Sequence, residues 1–245
     1  MNKEGIYIVD KKGQSTFLSP PSSGFGEIQI QYCNSIPIML REMHTLRLAE
    51  TKKSKATSMG LTFLDIFAGV GGFRLGMEQA GHCCIGYIEW DKFARASYQA
   101  IHNTEKEWTK HDINDVKPGE LPKADVWCFG FPCQDVSIAS GKATGLKGAR
   151  SGLFYKTIEL LNSQKEKNKP KYLFIENVKN LFSVNGGWDF AAVLISLDEA
   201  GYDAEWALLN TKDFSTPKRP VPKNRERVFI VGHSRRQRTR KVFPL

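Results

Sequence analysis

At 245 residues, 41% hydrophobic and 25% charged, the chain has the size and composition of one α/β domain with a large core and room for a small appendage. No apolar run approaches the ~20 residues that span a bilayer, and residues 1–12 mix charge with Ile6, Tyr7, Ile8 and Val9, unlike a secretory signal, so a cytoplasmic protein without a membrane partner is expected. A net charge of +9, from 35 basic and 26 acidic residues, favours a polyanionic partner.

The five cysteines, Cys33, Cys83, Cys84, Cys128 and Cys133, are odd in number and fit no zinc spacing, so free thiols and no metal are expected. Cys83 and Cys84 lie in an apolar stretch and read as core residues.

Along the chain, residues 14–26 are rich in Ser, Pro and Gly and read as loop. A helix-like stretch covers residues 38–50. Residues 51–58 (TKKSKATS) read as a linker. From Leu61 the pattern becomes α/β. LTFLDIF (61–67) is an apolar run suited to a buried parallel strand, followed by a Gly-rich turn and a helix over 73–81. A strand follows at 83–88, a helix at 91–103, a strand at 124–130 and a helix at 153–164. The remainder reads as a strand at 171–175, a helix at 188–200 and strands at 206–210 and 227–231. Alternating strands and helices predict a doubly wound, mostly parallel sheet, whose ligands bind at the carboxyl ends of the strands. Basic residues crowd 218–241, where a solvated tail and a nucleic-acid contact are equally good readings.

The chemically suggestive residues fall at those strand ends. Asp65-Ile66-Phe67-Ala68-Gly69-Val70-Gly71-Gly72 is a Gly-rich strand-to-helix turn that lets backbone approach a ligand. Glu89 closes the next strand, where a carboxylate can accept from ribose hydroxyls, and Trp90 could stack on an adenine. The loop lacks the NAD spacing and the Lys of a P-loop, so an adenosyl cofactor is suggested. Cys133, in Gly130-Phe131-Pro132-Cys133-Gln134, follows a strand and is placed like a nucleophile, whereas Cys128, inside the strand, reads as a structural thiol. Glu176-Asn177-Val178 follows a third apolar strand. Arg225 and Arg227, at a strand entrance, share one face.

In this order, FAGVGG, GFPCQ, ENV and NRERVFIVG resemble the motifs of the cytosine-5 DNA methyltransferase family, and residues 61–233 carry the resemblance. Lys110-His111-Asp112-Ile113 is similar to the family's short acidic motif at the adenine, and Arg150 to Phe154 to a segment that supports the cofactor pocket. The resemblance implies a Rossmann-like fold that binds S-adenosyl-L-methionine through Phe67, Gly69, Gly71, Glu89, Trp90, Asp112, Ile113 and Pro132. It implies a Cys133 thiolate that attacks carbon 6 of a cytosine, with Glu176 on the ring nitrogen edge. Arg227 is implied at the cytosine carbonyl, Arg225 in support of the Cys loop, and Asn177 in orienting Glu176 or the loop backbone. A cytosine in double-stranded DNA must leave the stack to be reached. Residues 137–148 (SIASGKATGLKG) then read as a mobile loop over the flipped base, with Gln134, Ser137, Lys142 and Lys147 touching DNA.

The chain departs from the family in two places. Lys223 stands where the arginine motif normally opens with Gln, after a Pro-rich segment at 214–222. The recognition domain and two closing motifs that follow in the family have no counterpart before Leu245, so a second polypeptide carrying that domain is an expected partner. Tyr32-Cys33-Asn34-Ser35-Ile36-Pro37, ahead of the helix-like stretch, is similar to the last of those motifs, with Cys33 in place of Gly. A circular permutation would set residues 28–50 beside the Gly loop, with Asn34 and Ser35 near the cofactor. The expected organisation is therefore an extension and linker at 1–58, a catalytic domain at 59–234 and a basic tail at 235–245. Two alternatives stay open: a tRNA cytosine-5 methyltransferase of the same superfamily, and a non-catalytic remnant that binds cofactor and nucleic acid.

Overall fold

The computed structural model describes residues 60–132, 152–215, 220 and 223–243 with their side chains, together with the backbone of three short strands nearer the amino terminus. Those strands are β1 (Ile6–Val9), β2 (Ser15–Leu18) and β3 (Gln29–Ile30). They form a small sheet of order β2-β1-β3, with β1 antiparallel to β2 and parallel to β3. β-Branched and aromatic residues in β1 favour this local pairing. Cys33, Asn34 and Ser35, the helix-like stretch at 38–50, and residues 133–151, including Cys133, Gln134, Ser137, Lys142 and Lys147, lie outside the described residues.

From residue 62 the chain alternates strand and helix. The elements are β4 (Thr62–Ile66), α1 (Gly72–Gln79), β5 (Cys83–Ile88), α2 (Lys92–Ile101), β6 (Trp108–Lys110), β7 (Val126–Gly130), α3 (Gly152–Ser163), β8 (Tyr172–Val178), α4 (Trp188–Glu199), β9 (Tyr202–Asn210) and β10 (Glu226–Ser234). They build a seven-stranded sheet of order β6-β5-β4-β7-β8-β10-β9. β4 to β8 run parallel, and β10 lies antiparallel between β8 and β9. The chain moves outward from β4 to β6 and then returns to β7. The carboxyl ends of β4 and β7 therefore flank the switch point at which open α/β sheets bind ligands.

Burial explains the strand pattern. β4 and β7 are buried on both faces, as central parallel strands with helices on either side should be. One face packs Leu64, Ile66, Trp127, Phe129 and Ile175 against Phe154 and Ile158 of α3 and Phe190 and Leu194 of α4. The other packs Phe63, Val126 and Cys128 against Met77 of α1. Full burial of each large side chain contributes ~1.5–3 kcal/mol. The expectation for adjacent cysteines holds for Cys84, which is buried, but not for Cys83, which is exposed. Successive residues of a strand point to opposite faces, so an apolar dipeptide cannot place both side chains on one side of β5.

The helices that follow β4 and β5 begin differently. The Asp91 carboxylate accepts from the backbone N–H groups of Phe93 and Ala94 at 2.9 and 2.7 Å and caps α2. At the start of α1 the cap position is Gly71, with φ +93°, and no side chain caps the helix.

At its far end, β10 delivers the chain to the edge where β8 and β9 begin, since His233 pairs with Tyr172 and Ser234 with Tyr202. There Arg235 pairs with Asp203 at 2.6 Å and with Asp198, and Arg236 pairs with Glu166. The chain then folds back along the sheet. The Glu205 carboxylate accepts from the N–H groups of Val242 and Phe243 at 2.6 and 3.2 Å, and Phe243 is buried against Leu209 and Val231. Part of the basic tail thus lies at the end of the sheet opposite Glu176, already paired with acidic side chains. Among the described residues no helix is long and apolar enough to cross a membrane.

Candidate active site

A cavity of about 430 Å³ opens at the carboxyl edge of the sheet, over the switch point. Phe67 follows β4, Glu89 and Trp90 follow β5, and Gly130, Phe131 and Pro132 end β7. Leu153 comes from α3, Glu176, Asn177 and Val178 from β8, and Arg225 and Arg227 from the entrance to β10. Eight of the twelve site residues that were singled out in the sequence and lie among the described residues therefore meet in one hollow.

On the β4–β5 side the backbone is bent into an unusual shape. Phe67 has φ +58°, the left-handed region that bulky side chains rarely adopt, followed by Gly69 at φ +57°. Such a conformation costs on the order of 1–3 kcal/mol and persists where surrounding contacts impose it. The contacts are present. Ala68 N–H donates to the Ile88 carbonyl at 3.0 Å, and Gly71 N–H to the Ala68 carbonyl at 2.8 Å. Glu89, only 9% exposed, accepts from Gly69 N–H at 2.7 Å through Oε2 and from Asp91 N–H at 2.8 Å through Oε1. Both oxygens are fixed, and each keeps a lone pair. A Cβ on Gly69 would meet nothing within 4 Å, so this side of the loop faces open space. Gly71 is different: a Cβ there would sit 2.2 Å from the His102 ring, so this glycine serves packing. Trp90 is 75% exposed at the rim.

On the β8–β10 side the register sets the chemistry. Phe229 pairs with Glu176 and Arg227 with Val178, which puts Arg227 and Glu176 on one face. Arg227 Nε contacts Glu176 Oε1 at 2.8 Å, and Arg225 Nη2 stands 3.9 Å from the same oxygen. The guanidiniums are 22% and 46% exposed, so both can also reach a ligand. Asn177 points to the opposite, buried face. Its Nδ2 donates to the Phe131 carbonyl at 2.9 Å, and its Oδ1 accepts from Val178 N–H at 2.8 Å. Asn177 thus fixes the peptide two residues before Cys133.

Four of the expected cofactor residues do not line the cavity: Gly69, Gly71, Asp112 and Ile113. Asp112 follows β6 and caps a short 3-10 turn by accepting from Asn114 N–H at 2.8 Å, while the Ile113 side chain is packed in the main core. Sequence reasoning gave no separate role to Gly130, Leu153 and Val178. Leu153 and Val178 are apolar and carry no chemical signature. Gly130 does carry one: a Cβ there would lie 3.2 Å from Glu176 Oε2, so its place in GFPCQ reflects the closeness of the carboxylate.

Sheet order, the Gly turn and a fixed carboxylate at the end of β5 define a Rossmann-like fold of the methyltransferase class. The comparisons agree. The profile of the C-5 cytosine-specific DNA methylase family matches residues 61–244. The chain is 40% identical over 171 residues to the type II methyltransferase M.NgoBI of Neisseria gonorrhoeae, covering 70% of this chain and 50% of that one. It is 36% identical over 184 residues to M.HhaI of Haemophilus parahaemolyticus, covering 75% and 52%. The fold also superposes on S. pombe Dnmt2 methyltransferase with a TM-score of 0.55 at 21% identity, over 71% of this chain and 51% of that one. The chain belongs to the C-5 cytosine-specific DNA methylase family. It spans about half the length of the curated relatives it matches.

Proposed function

We propose that this chain transfers a methyl group from S-adenosyl-L-methionine to carbon 5 of a cytosine flipped out of double-stranded DNA. The observation that carries the reading is the pairing of Glu176 with Arg227 at one wall of the cavity, opposite the Glu89 and Phe67 wall, with Asn177 holding the peptide that leads to Cys133.

The residues present fit the cofactor. The free lone pairs of Glu89 suit a ribose diol, Phe67 and Trp90 offer aromatic faces to an adenine, and the open side of Gly69 admits close backbone approach. When bound, the cofactor supplies an electrophilic methyl group.

This chain's residues do the rest. The Cys133 thiolate adds to carbon 6 of the ring, and the electron pair displaced from the 5,6 double bond is delocalised toward the ring nitrogen and carbonyl. Glu176 holds that nitrogen edge and shares a proton with it, which offsets the developing charge. Arg227 serves the cytosine carbonyl as well as Glu176, and Arg225 adds positive charge beside them. Carbon 5, now enamine-like, takes the methyl group, and the pair of the broken sulfur–methyl bond stays on sulfur, leaving a neutral thioether product. Loss of the carbon-5 proton to a solvent base then restores the double bond and expels the Cys133 thiolate, while the nitrogen proton returns to Glu176. Gln134, Ser137, Lys142 and Lys147 serve DNA contacts next to that thiol. Residues 28–50, with Asn34 and Ser35, serve as a permuted closing motif beside the Gly loop, and a second polypeptide carries target recognition. The working compartment is the cytoplasm.

The test is covalent trapping. Labelled cofactor and DNA containing 5-fluorocytosine, with a recognition chain supplied, should give an adduct that is absent in Cys133→Ser. Cofactor binding with no adduct in the wild type refutes the proposal in favour of a non-catalytic binder. Adduct formation on tRNA but not on DNA moves the substrate to RNA.

A further inference from the structure

We infer that Asp65 is a positioning residue for the cofactor loop, and that it ties β4 to Tyr98 of α2 behind that loop. This rests on the reading of the Gly loop as the cofactor cradle.

Asp65 is 0% exposed and stands two residues before Phe67. Tyr98 O–H donates to its Oδ2 at 3.3 Å, and its Oδ1 has no hydrogen-bond partner. The Arg74 backbone amide, in the first turn of α1, favours the ionised carboxyl and partly offsets its burial.

Among the described residues the cation that acts on this carboxyl is Arg74, and it does so from behind Tyr98, to whose Oη its Nη1 donates at 3.4 Å. The Arg74 guanidinium is 4% exposed and its charge is shared with other partners. It forms a bidentate pair with Glu107 at 2.8 Å through both terminal nitrogens, and its Nε contacts Glu78 at 2.9 Å. The other groups around Asp65 are acidic or neutral. Glu89 and Cys84 come from β5 and Cys128 from β7, where it is paired in register with Asp65. Tyr98 comes from α2, with His102 packed on its ring at 4.7 Å. A buried carboxylate without a partner is strongly disfavoured. Burial accordingly pushes the Asp65 carboxyl up to about 8, while Cys84 is pushed up to about 12 and Tyr98 well above its ordinary value. Ionising Asp65 would place a buried negative charge behind the loop and force β4 and α1 apart to admit water.

The experiment compares the full-length wild type with Asp65→Asn, a neutral isostere, and with Asp65→Ala. S-adenosyl-L-methionine affinity is read from quenching of tryptophan fluorescence between pH 6 and 9.5. The ratio of wild-type to Asp65→Asn Kd cancels any titration of the cofactor itself. That ratio should stay within about threefold at pH 7 and rise tenfold or more by pH 9.5, with Asp65→Ala weaker than Asp65→Asn throughout. A ratio independent of pH, or an Asp65→Asn protein that is folded but binds tenfold more weakly at pH 7, overturns the inference.

Two further measurements do not depend on the cofactor. Carboxyl carbon NMR of the Asp-labelled wild type should show one aspartate still protonated when all others have ionised. Amide hydrogen exchange over residues 67–77 should be faster in the wild type than in Asp65→Asn at pH 9 and equal at pH 6.5. Loss of these signals refutes the role of Asp65. Their presence in a protein that binds no cofactor at any pH refutes the cradle reading instead.

Discussion

Asn177 makes no contact with the bound base in the proposed reaction, yet Asn177→Ala should damage both stability and turnover. The substitution removes the donor to the Phe131 carbonyl and the acceptor of Val178 N–H. Asn177 is 3% exposed, so water does not simply replace the amide. Each orphaned buried backbone group costs ~1–3 kcal/mol, and partial access at Val178 reduces the sum to about 2–4 kcal/mol. For a chain of this size each kcal/mol lowers Tm by roughly 2–4 °C, so a fall of about 5–15 °C is expected by calorimetry. The freed carbonyl belongs to the peptide before Pro132, so the segment that leads to the nucleophile of the proposed reaction loses an anchor. A displacement of ~1 Å can lower a reaction rate about 100-fold, and single-turnover methylation should report a loss of that order. Asn177→Asp makes the sharper comparison. It keeps the acceptor for Val178 but sets a carboxylate oxygen against the Phe131 carbonyl, which raises the pKa of the new carboxyl. Its stability deficit should therefore grow as pH rises from 5 to 8. If Asn177→Ala melts within about 2 °C of wild type and methylates within twofold of it, the account of this side chain is wrong.

Gly130→Ala should leave Tm nearly unchanged but lower kcat by about tenfold or more, because the added methyl group meets Glu176 Oε2 at 3.2 Å and turns it away from Arg227; an unchanged kcat would show that the carboxylate has room to spare. Trp90→Ala should keep the fold, since the ring is 75% exposed, and raise the cofactor Kd about five- to tenfold as measured by calorimetry. Asp65 makes stability depend on pH. Its carboxyl stays protonated in the folded chain to about 8 but ionises near 3.8 when unfolded. The folded state thus holds the extra proton between these values, and stability falls as pH rises through that window. Asp65→Asn lacks this dependence, so its unfolding free energy from urea melts should match wild type near pH 4 and exceed it by on the order of several kcal/mol near pH 8; parallel curves would contradict the buried neutral acid.

Sequence patterns anticipated the elements in which local and tertiary preferences coincide. The apolar runs at β4, β5 and β7, the helical stretches of α1 to α4 and the position of the site at the carboxyl edge could all be read directly. β6 could not, because three residues at a sheet edge, two half-buried and one exposed, carry too little hydrophobic signal. β9 extends four residues further toward its start than its apolar core suggests, since Tyr202, Asp203, Ala204 and Glu205 owe their extended conformation to pairing with β10. At the site, Glu89, Glu176 and Arg227 were legible from motif and strand end, while the Glu176–Arg227 contact depends on a cross-strand register that no local pattern encodes. Asp65 was visible as part of a motif but not as a buried acid, because its burial comes from α1 and α2 closing over it.

The antiparallel strand inserted near the end of the sheet bears on the order in which the protein assembles. β9 has a single hydrogen-bonded neighbour, β10, and so does the outer side of β8. A nascent chain that has emerged only through residue 210 holds a strand with nothing to pair against and a cavity wall without its guanidiniums. One late docking event, between residues distant in sequence, both completes the sheet and brings Arg227 to Glu176. Contacts of that kind form slowly, so catalytic competence should appear in refolding together with the last sheet pairing and no earlier.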